Sequence, residues 1–422
     1  MIWMRDFKSD KGQMIIGGVQ ATDIAAKFGT PVYVTDEDAL RGNFRRINTA
    51  FQKNMPTRIH YACKANTNLS LLRILQQEGS CIDAVSIGEV KLCLRAGFAP
   101  ERILYTGVMV PDQEMQQVVD LGVPINVDSI NQLRRLATMN NKHPISFRVN
   151  PGVGAGHHQH VVTGAKTTKF GVPKEQILDT YQEALSLGFK PFGIHAHIGA
   201  GVQETAPFLQ VTQVLVDIAN GIRDHLGLAL ETIDIGGGIG IPYHMEENHM
   251  DVDALSSEVS NYIRHNCYVR KLAIEPGRYL VADTTVLLTT VGDIKEHPEK
   301  TFAGVDAGFN TLIRPAFYGS YHHVAVANRF GARATYNYDI VGQICESGDF
   351  IARDRMLPRI EIGDIIAVYD TGAYGFTMAS NYNSRPLPAE VLVKDGQMNL
   401  IREAQTLDDL TVHQKIPSRL MV

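Results

Sequence analysis

The chain has little of what would place it outside an ordinary aqueous compartment. Nowhere do about 18 apolar residues run together, so no membrane-spanning helix is expected, and the first stretch, Met1-Ile-Trp-Met-Arg-Asp-Phe-Lys8, lacks an apolar core of signal-peptide length. Cysteine is sparse: Cys63, Cys81, Cys93, Cys267 and Cys345 are scattered, with no Cys-x-x-Cys pair. That pattern offers neither a disulfide framework nor a zinc site, and a cytoplasmic location is expected. Charge of one sign is missing too. The formal net charge is −5, acidic and basic residues are interspersed, and no basic run forms a footprint for nucleic acid. Repeats and low-complexity tracts are also absent.

What is present is enough for a large core: 44% hydrophobic residues in 422, a length at which two domains are the default expectation. From Arg58 to about Leu280, short apolar runs alternate with stretches of helical periodicity. Strands are expected at 58-63, 81-85, 102-106, 125-127, 146-149, 191-197, 232-235 and 271-274, with helical patterns such as 87-96, 129-139, 174-187 and 205-226 between them. This pattern predicts a (β/α)8 barrel of the TIM type, in which the strand ends share one face where active sites are assembled. After Tyr279, β-branched and aromatic runs follow at 281-291, 301-305, 335-344, 364-369 and 390-393, separated by Gly, Asp and Pro. They predict a separate all-β domain. The barrel domain is expected over 30-280, and the β domain over 1-29 and 281-422. The segment Pro31 to Thr35 has no place in an eight-strand count and is a candidate strand of the β domain.

The expected strand ends carry the chemistry. Arg58-Ile-His-Tyr-Ala-Cys-Lys64-Ala-Asn66 delivers one lysine where a buried strand stops. An amine whose stem is desolvated there loses its proton more easily, and only the neutral amine forms a Schiff base. The bland reading is a lysine reaching to solvent. Asp234-Ile-Gly236-Gly237-Gly238-Ile-Gly240 follows a strand, and its backbone N–H groups can converge on a phosphate, although glycines also serve tight turns. Glu275-Pro276-Gly277-Arg278 places a carboxylate at the end of strand eight, suited to a pyridine nitrogen or to an ion pair that closes the barrel. His195 and His197 alternate along strand six, so one should face the barrel interior or mouth and the other the helices. They read as a stacking imidazole or a core histidine, and no metal site is nominated because further ligands are not evident. In the β domain, Cys345-Glu346-Ser-Gly-Asp349 and Asp370-Thr-Gly-Ala-Tyr374 are polar and glycine-rich, and Arg314 with Tyr318 offers a carboxylate clamp, or an exposed arginine beside a packing tyrosine.

In this order, Tyr61-Ala-Cys-Lys64-Ala-Asn66, His197-Ile-Gly199, Gly236-Gly-Gly238, Glu275-Pro-Gly-Arg278, Cys345-Glu-Ser-Gly-Asp349 and Asp370-Thr-Gly-Ala-Tyr374 resemble the fold-type III pyridoxal-phosphate decarboxylases over nearly the whole chain. Asn310 to Tyr318, Asn150-Pro-Gly-Val and Lys169-Phe-Gly171 resemble most the diaminopimelate decarboxylase branch. The resemblance implies decarboxylation of meso-2,6-diaminopimelate to L-lysine, with pyridoxal 5'-phosphate held on Lys64. It implies that Glu275 sits at the ring nitrogen and that His197 stacks on the ring, with Gly236, Gly237, Gly238, Pro276, Gly277, Arg278 and Tyr374 around the cofactor. Arg278, Arg314, Tyr318 and Tyr374 would contact the substrate, Glu346 its distal ammonium, and Cys345 would return a proton. A homodimer with shared active sites is also implied.

Two departures stand out. Ala200-Gly201 replaces the usual serine after His-Ile-Gly, which shifts cofactor affinity toward the glycine cluster, and Gly156-His-His-Gln-His160 is unusually rich in histidine. The alternatives are a decarboxylase of the same group acting on another diamino acid or a carrier-linked amino acid, a racemase, and a non-catalytic barrel that binds the cofactor. The last would have little need for Cys345, Glu346 and Arg314.

Overall fold

The structure, a computed structural model, describes residues 7–152, 168–244 and 246–421. The His157 to His160 loop lies outside the described residues. Two compact units are present, Leu40–Val281 and the combination of Met1–Ala39 with Ala282–Val422.

The first unit is a closed barrel of parallel strands: β1 (Thr57–Ala62), β2 (Cys81–Ala84), β3 (Ile103–Tyr105), β4 (Ile125–Val127), β5 (Ile145–Asn150), β6 (Gly193–His195), β7 (Thr232–Asp234) and β8 (Lys271–Ile274), with β8 pairing back onto β1. The strands are short and buried on both faces, which is why they read as continuous apolar runs. Helices Leu69–Gln77, Ile87–Arg95 and Ile130–Asn140 are opened by the side chains of Asn68, Ser86 and Ser129, which accept from the N–H groups of Ser70, Glu89 and Gln132. These caps sit directly after strand-end polar residues, so each crossover ends its strand with a fixed turn. The eight expected strands are all present, within a few residues at their ends.

The second unit is built on a mixed sheet in the order Phe350–Leu357, Tyr336–Val341, Thr301–Val305, Thr285–Glu296, Val32–Asp36, Ala389–Lys394, Gln397–Arg402. Val32–Asp36 pairs antiparallel with Thr285–Glu296 and parallel with Ala389–Lys394, so the barrel unit begins at Leu40 rather than at residue 30. Its alternation of Val and Tyr packs into the β unit, where Val32, Tyr33 and Val34 are all buried. Residues 281–284, expected to open a strand, are helical instead, and the strand starts at Thr285. Phe350–Leu357 and Val324–Val326 are strands that the sequence reading missed; the charged Ala-Arg-Asp-Arg run in the former hides its alternation.

Candidate active site

Lys64 lies in a single 3-10 turn, Cys63–Ala65, immediately after β1. Its Nζ is 3.1 Å from Asp83 Oδ2, with the lysine side chain 41% exposed and the aspartate buried. Thr106 Oγ1 donates to the other oxygen of Asp83. The amine thus lies beside a carboxylate that β2 supplies, an ion pair at the strand end. Asp83 was not among the site residues expected from the sequence.

Glu275, at the end of β8, is 6% exposed, and its Oε2 is 3.1 Å from His195 Nε2. Burial pushes this carboxyl up, but the neighbouring His195, which is hydrogen-bonded to it, together with Lys64 and His60, outweighs burial and holds it below the ordinary carboxylate range. Asp234, at the end of β7, shows the opposite: burial and then the neighbouring Glu275 charge hold its carboxyl well above the usual range. His195, Asp234 and Glu275 bring ligand-capable atoms within 4.8 Å of one another, the grouping of that kind among the described residues. Two of the three are buried carboxyls, and Asp234 Oδ2 and Glu275 Oε1 have no hydrogen-bond partner among the described residues.

His195 and His197 do not face opposite ways as expected: residues two apart along a strand share a face, and both rings lie toward the charged groups of the barrel interior. The half-buried His197 accepts from the Gly237 N–H at 3.2 Å. Burial, then the Arg148 and Lys64 cations, keep its imidazole well below the ordinary range, so it is a neutral ring on the Lys64 side of the barrel.

The glycine cluster is demanded first by packing. A Cβ on Gly236 would lie 2.5 Å from the Ala196 carbonyl, one on Gly237 2.0 Å from the Glu275 carbonyl, and one on Gly238 2.3 Å from the Gly199 carbonyl. Gly236 N–H donates to Asp234 Oδ1 at 2.8 Å. Two of the three N–H groups expected to converge on an anion are thus committed to side chains, Asp234 and His197. Glu275 N–H donates to the Gly236 carbonyl, and Ala62 N–H to that of Pro276, tying the ends of β7, β8 and β1 together. Gly277 packs its α-carbon against Ala62, where an added Cβ would meet the alanine methyl at 3.1 Å. Arg278 is buried, donates to the Tyr243 hydroxyl and lies over its ring at 5.8 Å.

In the β unit, Arg314 is 2% exposed, which rules out the reading of an exposed arginine; its guanidinium meets His322 Nε2 at 3.3 Å and Ser320 Oγ at 3.3 Å. Tyr318 ends the same short helix, Arg314–Tyr318, and is half-buried. Cys345 and Glu346 are exposed beside one another: Cys345 Sγ is 3.6 Å from Asn383 Oδ1, and Glu346 accepts from Tyr382. Their loop is pinned by the buried Asp349, which accepts from Ile344 and Phe309 N–H at 2.6 Å each. Tyr374 holds φ of 59°, a left-handed conformation at the turn that follows Asp370.

Pyridoxal phosphate needs an amine at an accessible mouth, a carboxylate for its ring nitrogen, and small backbone positions. The barrel provides Lys64, the buried Glu275 and the glycine cluster, so its residues fit that group.

Comparison with known proteins agrees. Residues 38–282 match the family model described as the pyridoxal binding domain of pyridoxal-dependent decarboxylases. The diaminopimelate decarboxylase of Methanothermobacter thermautotrophicus is 50% identical over 420 residues, 98% of each chain. That of Escherichia coli K12 is 35% identical, with 92% of this chain and 94% of the relative covered. Among solved structures, diaminopimelate decarboxylase from M. jannaschii in complex with L-lysine superposes with a TM-score of 0.94 at 32% identity, covering 100% of both chains. The chain belongs to the diaminopimelate decarboxylase family of pyridoxal-dependent decarboxylases.

Proposed function

We propose that the protein decarboxylates meso-2,6-diaminopimelate to L-lysine and carbon dioxide. The observation that carries this reading is full-length similarity to relatives of that activity together with a barrel mouth that holds Lys64 on Asp83 above a buried Glu275. Pyridoxal phosphate, when bound, supplies an electron sink for the pair of electrons left behind as the carboxylate departs.

The chain's residues divide the remaining work. Lys64 would attach the cofactor, with Asp83 as its ion-pair partner. Glu275 would hold a proton on the ring nitrogen, and His197 would supply a neutral imidazole beside it. With two N–H groups of the glycine cluster committed and no serine after Gly199, Gly238, Arg278 and Tyr374 would hold the phosphate. Arg278, Arg314 and Tyr318 hold the distal carboxylate, Glu346 the distal ammonium, and Cys345 returns the proton. Because Cys345 and Glu346 are exposed on their own unit, we assign them to a site shared between two copies of the chain. No described helix is long and apolar enough to cross a membrane, and all five cysteines are free thiols, four of them buried, which supports a cytoplasmic protein.

The test is carbon dioxide release and product identity with meso-diaminopimelate and pyridoxal phosphate. Lysine from the wild type and none from Lys64→Ala is the expected result. An imine absorbance band without lysine would move the assignment to another amino-acid substrate.

A further inference from the structure

Inside the barrel, a file of hydrogen bonds runs toward Glu275. Ser146 Oγ on β5 is 2.9 Å from Asn126 Oδ1 on β4; Asn126 Nδ2 is 2.9 Å from His195 Nδ1 on β6; His195 Nε2 is 3.1 Å from Glu275 Oε2. All of these side chains are buried. Their sense is fixed by elementary bonding. With the serine hydroxyl donating to the amide oxygen, the amide NH2 faces Nδ1, which must accept, and the ring proton sits on Nε2, where it donates to the carboxylate. On the other side of Glu275, Oε1 and Asp234 Oδ2 are both buried with no hydrogen-bond partner among the described residues, and the two carboxyl groups bring oxygens within 4.8 Å of each other. Two carboxylate oxygens cannot bond without a proton between them. The second oxygen of Asp234 already accepts from Gly236 N–H, which orients the group.

We propose that Asp234, His195 and the Asn126–Ser146 pair are positioning residues that place one negative charge on Glu275, with Asp234 kept as a neutral acid donating to Oε1 and His195 donating to Oε2. This rests on the reading that Glu275 meets the ring nitrogen of the cofactor. A carboxylate framed by two donors is held in place by them, yet keeps a lone pair for the ring N–H. If Asp234 were also ionised, two buried like charges would repel; if Glu275 were neutral, nothing would hold the ring proton.

The other charged groups around Glu275 are consistent with this. Lys64 lies toward the mouth, paired with Asp83, and Arg148 is a buried cation within reach of Glu275 and Asp128. His60, on β1, is held neutral down to about 4, chiefly by burial, so it does not compete for the Glu275 charge at neutral pH. Ser146 and Asp234 also line a cavity of about 40 Å³ with Arg58, His60 and Glu101. A buried water needs roughly 10–15 Å³ of such space, so the file has room for solvent through which its protons exchange.

The experiment reads the ring nitrogen itself. Holoenzyme reconstituted with 15N-labelled pyridoxal phosphate is titrated by NMR, with the visible absorbance of the bound cofactor as a check that it remains attached. In the wild type the nitrogen is protonated at neutral pH. Asn126→Leu and Asp234→Ala should each lower the pH at which it loses its proton by about one unit or more, roughly a tenfold loss of proton affinity. Asp234→Asn should keep the wild-type titration, because an amide NH2 replaces the acid's O–H toward Glu275 while its oxygen still accepts from Gly236. Ser146→Ala, the mildest change, should shift it in the same direction as Asn126→Leu but less. Wild-type titrations in both Asn126→Leu and Asp234→Ala would overturn the proposal, and so would Asp234→Asn behaving like Asp234→Ala. An unprotonated nitrogen in the wild type would overturn the Glu275 reading on which it rests, a result distinct from either.

Discussion

The two units carry their chemistry in opposite ways. In the barrel, the expected site residues are wholly or partly buried and already bonded within the unit: Asp83 holds Lys64, His195 holds Glu275, and Gly237 holds His197. In the β unit, Arg314 is buried, but Cys345 and Glu346 are exposed and meet Asn383 and Tyr382, which are themselves exposed. The difference teaches where preorganisation is built. The barrel residues are set by the ends of the chain's own strands, whereas Cys345 and Glu346 are presented outward on their unit.

The largest effect expected is at Lys64. Lys64→Ala removes the attachment point and should lower turnover by at least roughly 10³-fold, measured as lysine formed. Cys345→Ala should cost on the order of 10²–10⁴-fold, the range for a lost general acid, with cofactor binding intact. Mixing the two inactive variants and letting subunits exchange then sharpens the comparison. If sites are shared, half of the sites in each mixed dimer are wild type, and activity recovers to about a quarter of the wild-type level. No recovery despite exchange would mean that each chain uses its own Cys345.

A third variant probes the barrel's packing. Gly237→Ala puts a methyl on the Glu275 carbonyl, where an ideal Cβ comes to 2.0 Å. Because the clash is with backbone, the ends of β7 and β8 must separate, and a loss of more than about 3 kcal/mol in unfolding free energy is expected from denaturant titration. An addition at the exposed Gly348, whose Cβ would meet nothing within 4 Å, should be nearly neutral by the same assay.

How much of this was legible in the sequence follows the same division. The barrel strands were readable because both of their faces are buried, giving unbroken apolar runs that stop at a polar residue. Lys64 and Glu275 were therefore visible as strand-end residues. The partners that set their charge were not: Asp83, Asp234, Asn126 and Ser146 come from strands distant in sequence, and only closure of the barrel brings β4, β5 and β6 together with β8. The expectation that His195 and His197 face opposite ways failed because residues two apart along a strand share a face. In the β unit, the chain order of Cys345, Arg314 and Tyr374 carried a family resemblance, while the burial of Arg314 beside His322 has no local pattern to announce it. The glycine cluster was read as an anion cradle or a set of tight turns, and only the distances to facing carbonyls show that packing comes first.

The smallest effect expected also belongs to the barrel, and it concerns proton balance rather than turnover. His60 is 7% exposed, and neither of its ring nitrogens has a hydrogen-bond partner among the described residues. Burial depresses its folded-state value from 6.5 to about 4, against the partial pull of Glu275 and Asp83. The unfolded chain therefore takes up a proton on falling below pH 6.5, whereas the folded chain resists until about pH 4. Between those limits the unfolded state binds more protons, so stability contributed by this residue is fully present above 6.5 and is lost as pH falls. The gap amounts to roughly 3 kcal/mol at its full extent. His60→Leu removes the titration without leaving a partner unpaired. In urea titrations between pH 7 and 4.5, the wild type should lose stability more steeply than the variant. Parallel slopes would mean that His60 shares a proton with its charged neighbours in the folded barrel, and that the interior is less strictly neutral at β1 than at β6.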